Sequence, residues 1–432
     1  MSNFERRLAL IVLAGLVVRV VYAVTLATKT TVQGDALAYH TLANLLADGH
    51  GYIRPFDWLS GHRAIPTAEH PPLYPLVLAG VSELGGRSFL AHRLASCVMG
   101  AAAVGLAGVA GRIAAGERVA LFAAGIAAVH PAWWVNDGAL MSESLYLAMA
   151  AAVLAAALAL LRAPTPARAV VAGAAVALAA LTRSEALALI VLLVVPAAVM
   201  AGRGWRRAGV LTLVASAAFA LVLAPWEARG IDRFHRLIPV TTTGGSLLAG
   251  ANCDATYHGQ SIGLWRLDCV LAAERRLGPA VARDNEAERF ARVGSEGRRY
   301  ARDHLGRLPK VVAVRVARTW DLFHPREQAV YETLEGRQRG VSEAGVLVHY
   351  VLLLLAGLGT VALWRTDRRV LALVLIPCAL VTFVSATGYG VTRLRVGAEP
   401  SLAILGALGI VALLDAWRRR RDGMRADEPR AV

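Results

Sequence analysis

Residues Leu8–Ala27 read LALIVLAGLVVRVVYAVTLA, and the meaning of that stretch decides the fold. It holds one charge, Arg19, and is as long as a helix must be to cross about 30 Å of hydrocarbon. It is longer than the apolar region of a signal peptide, and no small-residue cleavage site follows it. It therefore reads as a retained transmembrane helix. The stretch Leu145–Leu161, LYLAMAAAVLAAALALL, repeats the pattern.

The rest of the chain agrees. It is 56% hydrophobic and only 18% charged, with a mean hydropathy of +0.50. A water-facing surface needs roughly a quarter charged residues. Ten candidate spans follow: Leu8–Ala27, His92–Arg112, Val119–His130, Leu145–Leu161, Ala169–Thr182, Ala186–Ala201, Ala208–Pro225, Val346–Trp364, Val370–Ala386 and Ser401–Trp417. The net charge of +15 invites a nucleic-acid partner. The arginines instead punctuate the ends of apolar blocks, and no soluble basic domain exists to carry such a surface.

Those arginines set the topology. With Arg6 and Arg7 in the cytoplasm, the alternate turns carry Arg112 and Arg118, Arg162 and Arg168, then Arg203, Arg206 and Arg207. Arg365, Arg368 and Arg369 follow, and the run Arg418 to Arg421 closes the series. Every cluster falls on one side, as the positive-inside rule requires. The parity holds only if Pro72–Leu84, too short to span, lies on the outer face. The expected protein is an all-α polytopic bundle in the plasma membrane with both termini cytoplasmic. Its units are an N-terminal transmembrane core (1–225), an extracytoplasmic loop region with interfacial helices (226–345), and C-terminal helices with a basic tail (346–432).

Polar residues gather at the outer helix ends. The first outer loop holds Asp35, Tyr39 and Gly51-Tyr52, then Glu69-His70-Pro71-Pro72-Leu73-Tyr74. Asp35 also suits a helix cap before Ala36. The second outer loop holds Trp133-Trp134, which suits an interfacial anchor, then Asp137 and Glu143. Glu143 at a helix start is favoured by the dipole in any case. Arg183 breaks the positive-inside pattern, with Glu185 beside it to neutralise it. Arg393 and Arg395 precede the last span, where binding lipid headgroups is the plain alternative. Gly244-Gly245 and Gly250-Ala251-Asn252-Cys253 read as a turn-rich segment. The helix expected after Pro309 sets Val312, Val316 and Trp320 opposite Lys310, Arg315 and Arg318, a pattern for the outer leaflet. Cys253 and Cys269 share the long loop, where an oxidising compartment permits a disulfide; separation alone leaves its geometry open. No residues have metal-ligand spacing, and no motif names a cofactor, although carboxylates alone can hold a divalent cation.

The order Asp35…Tyr39…Gly51-Tyr52, His70-Pro71-Pro72-Leu73-Tyr74-Pro75, Arg93-Leu94-Ala95-Ser96, Met141-Ser142-Glu143, Leu181-Thr182-Arg183 and Tyr389…Arg393-Leu394-Arg395…Glu399-Pro400 resembles the GT-C-fold membrane glycosyltransferases. The nearest likeness is to bacterial members of the protein O-mannosyltransferase and lipid A aminoarabinose transferase group. The resemblance implies sugar transfer from a polyprenyl-phosphate-linked donor to a lipid, glycan or protein acceptor on the outer face. It implies Asp35 as catalytic base, and Glu69, His70, Tyr74, Asp137 and Glu143 as substrate-positioning residues. Arg183, Arg393 and Arg395 would face the donor phosphate. A single displacement by the acceptor hydroxyl inverts the anomeric centre. The competing class is a secondary transporter or lipid flippase. That class places its site near the midplane, often between repeated halves. Here the charged candidates lie at one boundary, and no internal repeat is visible.

Overall fold

The computed structural model describes residues 2–202, 204–279, 281 and 284–426; Arg203 and the last residues of the basic tail fall outside these. Among the described residues the chain is helical, with one isolated antiparallel bridge between Ile53 and Pro66. Seven helical segments of the described residues are long and apolar enough to cross a membrane: Asn3–Lys29, Phe89–Ala115, Glu143–Arg162, Trp205–Phe234, Arg339–Thr366, Arg368–Thr387 and Thr392–Asp422. The helices Glu117–Val129 and Pro131–Ala139 meet at a 44° bend and make an eighth span if counted together. The bend has a local cause. His130 is extended and Pro131 has no N–H to continue the ladder, so the helix restarts there, capped by the His130 ring.

All ten apolar stretches lie in helices, but by length seven or eight qualify as spans. The remaining two are Pro166–Ala180 and the irregular Ser184–Met200 segment, which passes through 3-10 and π turns before a short α-helix. Leu73–Glu83, the stretch excluded from the spans, is an 11-residue helix, about 16 Å long.

Small residues let the helix backbones approach closely. A Cβ on Gly359 would fall 1.9 Å from the Leu405 carbonyl oxygen, and one on Gly409 would fall 2.1 Å from that of Leu355. The Arg339–Thr366 and last helices therefore lock together reciprocally. The Glu143–Arg162 helix is the centre of the bundle, buried along most of its length. At one end of the bundle, arginines tie the turns together. Arg112 pairs with Glu117, Arg118 with Asp415 and Arg162 with Asp367, while Arg207 and Arg369 donate to the Pro164 and Met200 carbonyls.

The opposite end carries the longer connections. The helix Asp35–Ala47 does not lie free on a surface. Its Tyr39 and Ala43 pack on Tyr74 and Leu78 of the Leu73–Glu83 helix, and Leu42 is buried as well. Gly244–Ala251 is a helix, not the turn-rich segment that its glycines suggest. Gly245 and Gly297 are there for contact: a Cβ on either would overlap the backbone of the partner helix, Glu286–Asp303 or Gly244–Ala251. The helix Leu308–Thr319 also departs from expectation. Arg315 and Arg318 are buried, donating to the Ala251 and Ile262 carbonyls, so its basic face turns into the loop layer. Cys253 and Cys269 are joined by a disulfide across 16 residues.

Candidate active site

The longer connections enclose a cavity of about 600 Å³ lined from several distant parts of the sequence. Asp35 and Tyr39 come from the first connection, Glu69 and His70 from the segment before Leu73–Glu83, Arg183 and Glu185 from the turn after Pro166–Ala180, and Glu335, Tyr389 and Arg393 from the C-terminal half. Thr241, Trp265, Leu271 and Phe290 close the loop side.

Arg393 organises these charges. Its Nη2 lies 2.9 Å from Asp35 Oδ2, its Nη1 2.8 Å from Glu335 Oε1 and its Nε 2.9 Å from Glu143 Oε1. Arg183 Nη1 reaches the same Glu143 oxygen at 2.7 Å and pairs on its other side with Glu185. Glu143 is fully buried and joins the two guanidinium groups from behind, whereas Asp35 is 34% and Glu335 23% exposed, facing the cavity.

Local structure explains how Asp35 gets there. The helix begins at Asp35 itself after Gly34, whose φ of +56° suits glycine, so the carboxylate bonds Arg393 instead of capping the helix. Burial alone would raise the Asp35 carboxyl, but Arg393, with His70 and Arg183, holds it below the usual carboxylate range. Burial raises Glu69 and Glu335 above theirs. Glu69 and His70 are held in the wall by a clamp with no sequence signal. Glu286, buried at the start of its helix, accepts from Arg54, Thr67, the Ala68 N–H and Thr242 at 2.7–3.0 Å. The His70 ring packs on Tyr39, with centroids 4.8 Å apart.

Three of the expected site residues lie elsewhere. Asp137 is fully buried within the bundle, 3.0 Å from Arg19, and this pair occupies the space a Cβ on Gly100 would fill. The pairing accounts for the charge in the first span, since an intramembrane charge needs a partner. Tyr74 is buried with its hydroxyl 2.8 Å from Ser96. Arg395 is buried between Asp321 and Glu399, in a small crevice beside the cavity. Arg393 and Arg395 sit on a 3-10 turn, Thr392–Ala398, where residues two apart point about 240° apart. One therefore faces the cavity and the other does not. Missing from the expected set was Glu335, whose partners are all distant in sequence.

Among the described residues, one group has atoms spaced for a metal: His130, His349 and Glu399, all buried and within 4.8 Å of one another. The spacing is assembled from remote positions and was invisible in the sequence. His130 Nδ1 accepts the Ala132 N–H, which leaves a neutral ring with its proton on Nε2. That proton occupies the free ring nitrogen a metal would need, while His130 Nε2, both His349 ring nitrogens and Glu399 Oε2 have no hydrogen-bond partner among the described residues.

Fold and site together define a polytopic membrane protein with a large polar cavity at the loop-bearing end of its bundle. Residues 69–227 match the family model described as dolichyl-phosphate-mannose-protein mannosyltransferase. No curated protein sequence matches the chain. Among solved structures, the Archaeoglobus fulgidus oligosaccharyltransferase in complex with Zn and sulfate is similar with a TM-score of 0.58 at 15% identity, over 96% of this chain and 50% of that one. The oligosaccharyltransferase AglB of the same organism, with an inhibitory peptide and a dolichol-phosphate, gives 0.56 at 13% identity, over 100% and 53%. ArnT from Cupriavidus metallidurans bound to undecaprenyl phosphate gives 0.46 at 18% identity, over 93% and 77%. The chain thus spans about half the length of the archaeal proteins. It is a membrane protein of the GT-C glycosyltransferase fold.

Proposed function

We propose that the chain transfers a sugar from a polyprenyl-phosphate-linked donor to a lipid, glycan or protein acceptor, by an inverting displacement at the extracytoplasmic face of the plasma membrane. The observation that carries this reading is the pairing of Asp35 with Arg393 on the wall of the cavity. Displacement at an anomeric carbon needs a base for the acceptor hydroxyl and positive charge where the phosphate departs. In the proposed step Asp35 takes the hydroxyl proton while the acceptor oxygen bonds the anomeric carbon. The carbon–oxygen bond to phosphate breaks, and its electron pair leaves with the carrier. Arg393 and Arg183 receive the growing charge, for which planar guanidinium groups are suited. Glu69 and His70 stand in the same wall and position the substrates, with Glu143 aligning the two arginines. Asp137, Tyr74 and Arg395 serve the bundle and do not touch the reacting groups. A fold relative that holds dolichol-phosphate supports a carrier of this class. The arginine-tied end of the bundle supports cytoplasmic termini, with the cavity outside.

The test is transfer from a panel of radiolabelled polyprenyl-phosphate sugars in membranes, wild type against Asp35→Asn. Transfer that collapses in the variant at equal protein level is the expected result. Equal transfer by both removes Asp35 as base, and no transfer from any donor removes the enzyme reading. Product of retained anomeric configuration would exclude the single displacement.

A further inference from the structure

The Glu332–Gly345 region, part of the expected extracytoplasmic loop region and given no role in the sequence, presents a charge to the cavity from a built support. Gly336 ends the Glu332–Glu335 turn with φ +78°, and a Cβ there would lie 3.1 Å from the Thr31 carbonyl oxygen. Arg337, 3% exposed, pairs with Glu332 at 2.8 Å and donates to Asn136 at 2.7 Å. Gln33 Nε2 holds the Leu334 carbonyl at 2.9 Å, two residues before Asp35. Glu335 is thus fixed across Arg393 from Asp35, on the guanidinium edge that the proposed donor phosphate would use.

The charges close to Arg393 are unbalanced. Two guanidinium groups, Arg183 and Arg393, meet four carboxylates, Asp35, Glu143, Glu185 and Glu335. Arg337 nearby is already matched by Glu332. Of the four acids, Asp35, Glu185 and Glu335 line the cavity, and Glu335 shares an Arg393 nitrogen with no other carboxylate. The proposed reaction changes the charge at this point. A polyprenyl-phosphate sugar is a phosphodiester with one negative charge, while the released carrier is a phosphomonoester carrying close to two at neutral pH. A fixed carboxylate on the phosphate's own guanidinium opposes the second charge more than the first.

We propose that Glu335 is a specificity-determining residue that competes with phosphate for Arg393, so that the cavity holds the singly charged donor in preference to the more highly charged released carrier. This rests on the reading that Arg393 receives the donor phosphate. The residue acts through Arg393 and makes product departure easier. It equally disfavours diphosphate-linked carriers, which bring an additional charge to the same edge.

The test is equilibrium binding of two lipids to purified full-length protein: a polyprenyl-phosphate sugar and the corresponding polyprenyl phosphate. Wild type, Glu335→Gln, Glu335→Ser and Glu335→Asp are compared by the ratio of the two dissociation constants. Both uncharged variants are expected to tighten polyprenyl phosphate relative to the donor by roughly tenfold, the effect of one unit charge across a few ångströms of partly solvated site. Glu335→Asp keeps a ratio close to that of wild type. A merely structural role would weaken both lipids together and leave the ratio unchanged. An unchanged ratio in the uncharged variants, with both lipids bound by wild type, overturns this proposal alone. Failure of wild type to bind either lipid overturns the donor reading and this proposal with it.

Discussion

Replacing Arg393 with lysine keeps the charge and removes the geometry, which makes it the sharpest test of the site. The guanidinium contacts three carboxylates through three different nitrogens, at 2.9 Å to Asp35, 2.9 Å to Glu143 and 2.8 Å to Glu335. An ammonium on a flexible stem has no planar fork to keep all three, and at least one contact is lost. A hydrogen bond to a charged group contributes about 1.5–3 kcal/mol. The lower part of that range applies here, because Asp35 and Glu335 are partly solvated. On the proposed reading, loss of two-pronged contact to the departing phosphate adds about 1–2 kcal/mol in the transition state. The sum of about 3 kcal/mol predicts a fall in kcat/KM of roughly a hundredfold. The assay is initial-rate transfer from a polyprenyl-phosphate sugar, with protein level and melting temperature measured on the same preparations. Arg395→Lys is the control. It disturbs a buried pair with Asp321 and Glu399 outside the cavity, so it should lower the melting temperature more than it lowers transfer. An Arg393→Lys enzyme within about threefold of wild type would refute the argument that bidentate geometry matters.

Three further outcomes follow from the same geometry. Because Arg393, His70 and Arg183 hold Asp35 below the usual carboxylate range, the proposed base stays ionised as pH falls, and kcat/KM is lost only below that range. The acid limb of kcat should lie at higher pH, since a bound phosphate offsets the Arg393 charge; coincident limbs in a pH–rate series would contradict this. Asp137→Asn leaves Arg19 buried without its counter-charge and should destabilise by about 3 kcal/mol, seen as a lower melting temperature in detergent. Transfer by the protein that remains folded should stay near normal, and a selective rise in donor KM would return Asp137 to the site. Replacing Cys253 and Cys269 with serine opens a loop of 16 residues, worth about 3 kcal/mol by the entropic account. Since Leu267, Val270 and Leu271 beside Cys269 line the cavity, the double variant should also raise KM, and unchanged kinetics would show that wall to be held by other contacts.

The fold was legible because membrane crossing leaves a one-dimensional record. Apolar runs of sufficient length mark the helices, and arginines mark the end where Arg112, Arg118, Arg162, Arg207 and Arg369 gather. Glycines were harder to read. Gly244 and Gly245 look like turn formers, and only the three-dimensional structure shows Gly245 packed on the Phe290 backbone. Arg315 and Arg318 carry the same ambiguity. A basic helical face is equally consistent with water, headgroups or buried carbonyls, and the carbonyls of Ala251 and Ile262 decided it.

For the site, the sequence record is good along the bundle axis and poor around it. Position in the chain put Asp35, Asp137, Glu143, Arg183, Arg393 and Arg395 at the same end, and on that coordinate nothing separates Arg393 from Arg395. Rotation on a 3-10 turn separates them, as does the facing of the Pro131–Ala139 helix, which aims Asp137 at Arg19. Glu335 has no local signature at all. Its place depends on Gly336 against Thr31 and on Arg337 against Asn136, contacts between residues some two to three hundred positions apart.

Charge pairing alone therefore does not identify a working residue in this protein. Arg19–Asp137 and Arg393–Asp35 are both arginine–aspartate pairs about 3 Å long between distant segments. Neither member of the first pair is exposed, so both charges are spent on each other, and the pair is replaceable in principle by apolar groups of similar shape. In the second pair the aspartate is a third exposed to a cavity, and its guanidinium is shared with two further acids. A pair arranged in this way can exchange its partner for an incoming anion at less desolvation cost than the first, because its aspartate is partly exposed and its arginine already meets three carboxylates. The sharing of Arg393, more than its charge, is what would fit this end of the bundle for the phosphate binding and release proposed above.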